Sequence, residues 1–191
     1  HPEFDNDLRL TKGAVEKVHA VITENLRSSG HRTLVEKSER SVVRQIAKPL
    51  NLGDMGETHF VIGEHWKDKL NRAANKAGHS DAIKVSEIRT WIDEPDAMGL
   101  PKPLQNLIIL TYAQQTNRSF TLHGGPYDPS IQEIHDDCSL KLQELPSDDA
   151  WKNAVEISQT VFGTVNLPSF VSGQNVMLFS KQMKEAVGDR L

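Results

Sequence analysis

The 191 residues carry 22 Lys and Arg against 26 Asp and Glu, a formal charge of -4. That balance excludes a surface that is basic all over, as a histone-like or polybasic membrane protein needs. With 37% hydrophobic and 25% charged residues, 12 Gly and 9 Pro, the chain has the make-up of a folded globular protein, with length for one domain or two small ones. Cys138 is the only cysteine, so no internal disulfide can form and a structural zinc site lacks its second sulfur; a reducing, cytoplasmic setting fits. The longest apolar run, Leu107 to Leu110, falls far short of the roughly 20 residues that cross a bilayer, so no membrane is expected among its partners. The first residues are His1-Pro2 with no methionine, which suggests a piece excised from a larger protein.

From the N-terminus, Val15, Val18, Ile22 and Leu26 recur at steps of three and four and predict a helix over 11–28, stopped by Gly30. A second helix is expected over about 36–50, with Val43, Ile46, Ala47 and Leu50 on one face, Arg40, Arg44 and Lys48 on another, and Pro49 ending it. Asn51 to Gly56 reads as a Gly-bounded turn, and Thr58 to Ile62, rich in β-branched and aromatic residues, as a single strand. His65 to Ala77 is the most basic helix: Trp66, Leu70 and Ala74 face inward, and Lys67, Lys69, Arg72 and Lys76 mostly outward. Ser86 is placed as the N-cap of a short helix to Asp93. Pro101 opens a strongly apolar helix, expected to be buried, through Leu104, Leu107, Ile108 and Leu110 to about Asn117.

Ser119 to His123 and Ser139 to Gln143 alternate apolar and polar residues and are expected to pair as strands across the loop 124–137, where Ile131 and Ile134 could form one helical turn. Ser147, followed by Asp148 and Asp149, marks a helix start, with Trp151, Val155 and Phe162 inside and Gly163 as the stop. A loop at 166–168 leads to a last helix over about 172–187, expected to bury Val176, Phe179 or Met177, Met183 and Val187. The fold class is therefore mainly α with a small β component, a helical bundle. Two units are expected, 1–80 helical with one short strand and 81–191 a winged-helix-like element plus C-terminal helices, which could also pack as a single domain.

Short helix, turn, long helix and two looped strands over about 86–145 follow the element order of a winged helix. The second helix, however, offers only Gln105, Asn106, Gln114 and Gln115 toward base edges, with no cation before Arg118, and the wing carries Asp128, Glu133, Asp136 and Asp137, which repel phosphate. Protein docking or a structural use is favoured there. The candidate nucleic-acid contacts are instead Arg40, Arg44, Lys48, Lys67, Lys69, Arg72, Lys76 and Arg118, set against the plainer reading of solvated helix faces partnered by Glu36, Glu39 and Asp68. The histidines are scattered singly; the nearest approach to a metal cluster is His123, His135, Asp136 and Cys138, and no metal is assigned. Gly53, Gly56 and Gly63 build no phosphate cradle, Cys138 reads as a buried inert thiol, and Trp66, Trp91 and Trp151 read as core. No residue is assigned to catalysis or to a cofactor.

Read in order, Pro49-Leu50-Asn51-Leu52-Gly53-Asp54-Met55-Gly56-Glu57, Ile88-Arg89-Thr90-Trp91-Ile92-Asp93, Gly99-Leu100-Pro101, Ala113-Gln114-Gln115-Thr116-Asn117-Arg118-Ser119-Phe120 and Leu145-Pro146 with Trp151 and Phe162-Gly163 resemble the region following the ATPase core of bacteriophage-resistance ATPases. These are PglY and BrxC, of the phage growth limitation and bacteriophage exclusion (BREX) systems. The resemblance runs over nearly the whole chain. It implies a parent that is a large P-loop ATPase related to origin-recognition proteins, working with a DNA methyltransferase and other antiviral defence proteins. ATP hydrolysis carries over to no residue here. Two functions are expected in turn: a non-catalytic scaffold that docks other subunits of the defence system or the parent ATPase core, and, as the alternative, a DNA-contacting module of the same ATPase.

Overall fold

A computed structural model describes residues 10–28, 30–79, 81–163, 167–168 and 170–188. Its helices are α1 (Lys12–Arg27), α2 (Arg40–Ala47), α3 (His65–Lys76), α4 (Val85–Ile92), α5 (Lys102–Gln115), α6 (Asp148–Phe162) and α7 (Gly173–Gly188). Its strands are β1 (Arg32–Leu34), β2 (Gly53–Met55), β3 (His59–Ile62), β4 (Ala82–Lys84), β5 (Arg118–Leu122), β6 (Gly125–Tyr127) and β7 (Ser139–Leu142). The fold is mainly α with a small β component, as the spacing of apolar residues predicts.

Helix ends follow local chemistry. Thr11 accepts the Ala14 N–H at 3.2 Å to start α1, and Ser147 does the same for Ala150 at 3.3 Å to start α6, with Asp148 and Asp149 favourably placed in its first turn. Gly163 closes α6 in the left-handed conformation, φ 67°. The second predicted helix is shorter than expected, because residues 37–39 and 48–51 form turns on either side of α2. Ser86 is not the cap of α4. That helix begins one residue earlier, and Glu87 reaches back to accept the Lys84 N–H at 3.2 Å.

Four strands were unreadable as strands. The segment 51–56 is more than a turn: Gly53–Met55 forms β2 and pairs with β3, and β1 pairs with the other edge, giving the antiparallel order β1-β3-β2. Glycine is required at 53, since a Cβ there would collide with the Val61 carbonyl and the Phe60 ring. A second antiparallel sheet has the order β4-β7-β5-β6, with α4 and α5 lying in sequence between β4 and β5. The β5–β7 pairing matches expectation, whereas β4 and β6 join as additional strands of three residues. Ile131 and Ile134 form no helical turn; both are buried anchors of the loop between β6 and β7.

One continuous core runs from Val15 to Leu140 and takes residues from both sides of Ala82. α1 lies against α5, α2 and β3, and α5 is packed by α1, α3 and α4. Within this core Asn25 is fully buried and donates from Nδ2 to the Phe60 carbonyl at 3.0 Å, which ties α1 to the first sheet. Helices α6 and α7 form a separate, smaller cluster around Trp151, Val155 and Leu167, with Trp151 and Phe179 in edge contact. α7 is joined to the body where the Gly173 N–H donates to Asn117 Oδ1 at 2.9 Å. Of the alternatives Phe179 and Met177, it is Phe179 that packs on the smaller cluster, with Val176, while Met177 is 52% exposed; Val187, expected inside, is 45% exposed. Of the predicted loop 166–168 only residues 167–168 are described, and residues 1–9 with the opening His1-Pro2 lie outside the described residues.

Candidate interaction surfaces

The basic side chains are distributed over two packing environments. α2 packs on α1 and β2, α3 on α4 and α5. Arg40 is half-buried and donates from Nε to the Val35 carbonyl at 2.8 Å; Arg44, exposed, donates from Nη2 to the Gly56 carbonyl at 2.9 Å, fastening α2 to the end of β2. Lys67 pairs with Glu64 at 2.7 Å. Lys69 donates to the carbonyls of Ile92 and Glu94 at 3.1 and 2.7 Å and lies 4.9 Å from the Trp66 ring centre. Partial burial lowers its pKa, with the nearby Glu94 and Asp93 opposing. Arg118 donates from Nη1 to the carbonyl of Asp81 at 3.1 Å. Lys48, Arg72 and Lys76 are exposed, Arg72 with its Nε on the Asp68 carbonyl one turn back.

The helix that a winged element would present to a groove is covered. Leu104 and every residue from Asn106 to Ala113 are buried, and only Lys102, Pro103 and the glutamines near the ends reach solvent. Two polar side chains lie deep in this stretch: Thr111 donates back to the Leu107 carbonyl at 2.8 Å, and Asn106 donates to the Ile131 carbonyl at 3.0 Å and accepts from Arg89 Nη2 at 2.8 Å. Arg89 goes further: Nε donates to Asp136 at 2.7 Å, Nη1 to Gln105 Oε1 at 3.0 Å and Nη2 also to the Ile134 carbonyl at 3.2 Å. One guanidinium therefore fixes the loop between β6 and β7 to α4 and α5. Sequence reading missed this residue. Its only trace was an asparagine inside an apolar run, which needs a buried partner.

Other polar chemistry is sparse. Cys138 is buried, and burial raises its thiol pKa, so the thiolate is disfavoured. Among the described residues no three His, Cys, Asp or Glu side chains are placed to hold a metal, and no helix is long and apolar enough to cross a membrane. A cleft of about 170 Å³ opens between α1, α5, the second sheet and α7, walled by His19, Gln114, Arg118, Phe120, Tyr127 and Met177. His19 Nε2 lies 3.3 Å from Gln114 Nε2. With the Gln114 amide oriented so, the ring nitrogen must be the unprotonated acceptor, in accord with burial lowering the His19 pKa.

Exposed aliphatic side chains gather in two places. Leu34 and Val61 lie on the first sheet. On α6, Ile157 and Val161 are 52% and 51% exposed and continue the line of Ala150 and Ala154 at spacings of four, three and four, beside the inward line of Trp151, Val155 and Ser158. Met177, which also walls the cleft toward α1 and α5, stands next to Lys181 and Lys184 on α7. Such clusters, rimmed by charge, are the usual form of a protein-docking surface.

Residues 13–113 match the family described as the fifth domain of the BREX system ATPase PglY. The match bears out the resemblance drawn from the sequence, and it extends from the second residue of α1 to Ala113 near the end of α5. No solved structure matches the chain.

Proposed function

We propose, on the premise that this chain belongs to the family of the fifth domain of the BREX system ATPase PglY, that it is a non-catalytic docking module of that defence ATPase. It holds partner subunits or the ATPase core in the cytoplasm and carries no chemistry of its own. The observation that carries the reading is the burial of α5. The segment from α3 to β7 has the order helix, strand, two helices and three strands, with β7 between β4 and β5, which supports taking it as a winged helix. Yet its second inter-strand helix is enclosed by α1, α3 and α4 and has no open face to lay in a groove. The exposed apolar line on α6 and Met177 on α7 are then the surfaces available to a partner.

The test is co-purification of this chain with the separately expressed remainder of the parent ATPase or with other components of the system. Capture that is lost in Ile157→Glu and in Met177→Glu, with unchanged circular dichroism, is the expected result. The alternative, contact with DNA phosphates, draws its support from the exposed Arg44, Lys48, Arg72 and Lys76. It predicts binding to nonspecific duplex DNA that falls steeply with salt and weakens in Arg72→Glu/Lys76→Glu. Such binding, with no capture of protein partners, would replace the docking reading.

A further inference from the structure

The first sheet keeps one face outward, and its register fixes what that face carries. Phe60, Ile62 and Met55 point inward and are buried; by alternation Arg32, Leu34, Asp54, Gly56, His59 and Val61 point outward. They form two rows. The first runs Arg32, Val61, Asp54 across β1, β3 and β2. The second runs Leu34, His59, Gly56, its last member placed by the Gly56 N–H donating to the His59 carbonyl at 2.9 Å. Leu34 and Val61 are 63% and 46% exposed, and a hollow of about 490 Å³ opens over both rows, lined by Arg32, Asp54 and Val61 of the first and by Gly56 and His59 of the second, with Glu57 and Thr58 beside them.

We propose that this face docks a second copy of the chain about a two-fold axis running along β3. Rotation about that axis exchanges the positions above β1 with those above β2 at the same height. Arg32 of each copy then stands over Asp54 of the other, Val61 meets Val61 and His59 meets His59 on the axis, and Leu34 comes over Gly56, where no side chain blocks its entry into the hollow. Charge, knob and hollow are thus each complementary to the same surface, which is the requirement of an isologous contact. An axis across the strands in the same row would put Arg32 on Arg32 and Asp54 on Asp54, so charge selects the orientation. A partner of single-signed charge would satisfy only one edge of the sheet.

The face is small. Three strands at about 4.8 Å and three or four residues at about 3.3 Å give roughly 150 Å² per copy, against about 800 Å² per partner in a standard interface. The contact is therefore weak and forms at high local concentration, as when copies are tethered side by side. It rests on reading the chain as a docking module but uses a different surface from the α6–α7 hairpin. It is tested on the purified chain alone, so its failure leaves partner capture by the hairpin untouched.

The experiment is disulfide trapping of Val61→Cys under mild oxidation, with Leu142→Cys and Ile157→Cys as controls of similar exposure; native Cys138 is buried and silent. Val61→Cys is expected to form covalent dimer at least about tenfold faster than either control, equal to about 1.4 kcal/mol of local preference. Adding Arg32→Asp should slow trapping, and Arg32→Asp/Asp54→Arg should restore it, with melting curves checking the fold. Trapping of Val61→Cys no faster than the controls, or fast trapping indifferent to Arg32→Asp, overturns the proposal.

Discussion

Between Val15 and Leu140 the large apolar side chains collect in one continuous core around α5, whereas the α6–α7 hairpin buries Trp151, Val155 and Leu167 and leaves Ile157, Val161, Met177 and Val187 near half exposure. The reason lies in the width of the apolar arcs. α5 has apolar residues on all sides and finds α1, α3 and α4 to cover them. α6 carries two adjacent apolar lines, and α7 covers one. A helix with more apolar surface than its own fold can cover is poised for an outside partner, while the body offers Leu34 and Val61 on its first sheet and Leu142 alone on its second.

The sharpest way to break this contrast is to empty each cluster in turn. Trp66→Ala removes a ring that is 2% exposed in the body and should cost about 3–5 kcal/mol of global stability, read by denaturant unfolding. Trp151→Ala, equally buried in the hairpin, should abolish protection of amides in α6 and α7 by hydrogen exchange while the unfolding midpoint of the body moves little. An equal drop of both would mean that body and hairpin unfold as one.

Next in size, Arg89→Met strands Asn106, Gln105 and Asp136 without their donor and should cost about 3 kcal/mol. Limited proteolysis should then cut within 124–138 while α6 and α7 stay protected. Ser147→Ala deletes the cap on Ala150 N–H and should cost about 1 kcal/mol, confined to hairpin exchange rates. The smallest effect is on pH. The folded His19 has its pKa lowered from 6.5 by burial, so below 6.5 the unfolded chain binds more protons and stability falls until the lower folded value is passed; above 6.5 the contribution is constant. His19→Gln should remove that part of the slope when urea midpoints are compared with wild type across the window.

How much of this was legible in the sequence depends on the range of the forces involved. α1, α3, α5 and α6 were readable because their caps and apolar spacing are local, as with Thr11, Ser147 and Gly163. β1, β2, β4 and β6, at three residues each, are strands only through their neighbours, and Gly53 in β2 argues locally against one. Arg89 acts on partners up to 47 residues away, which no spacing rule reaches. Periodicity left Phe179 and Met177 as alternatives for the inner face of α7 and could not choose; contacts decide for Phe179, and leave Met177 and Val187 near half exposure. Of the basic positions, sequence gave the helices and their faces, but not that Lys69, Arg44 and Arg118 bond to backbone carbonyls.

Strand β6 forms an outer edge of the second sheet, and its central residue is Pro126, opposite Thr121. In an antiparallel pair, alternate residues turn their backbone groups toward the neighbour, so Gly125 and Tyr127 bond to β5 and only position 126 addresses the open side. A proline there leaves that margin without an amide to give. An incoming extended peptide would find a lone acceptor and no donor, so on this side of the sheet uncontrolled strand addition is stopped by one ring.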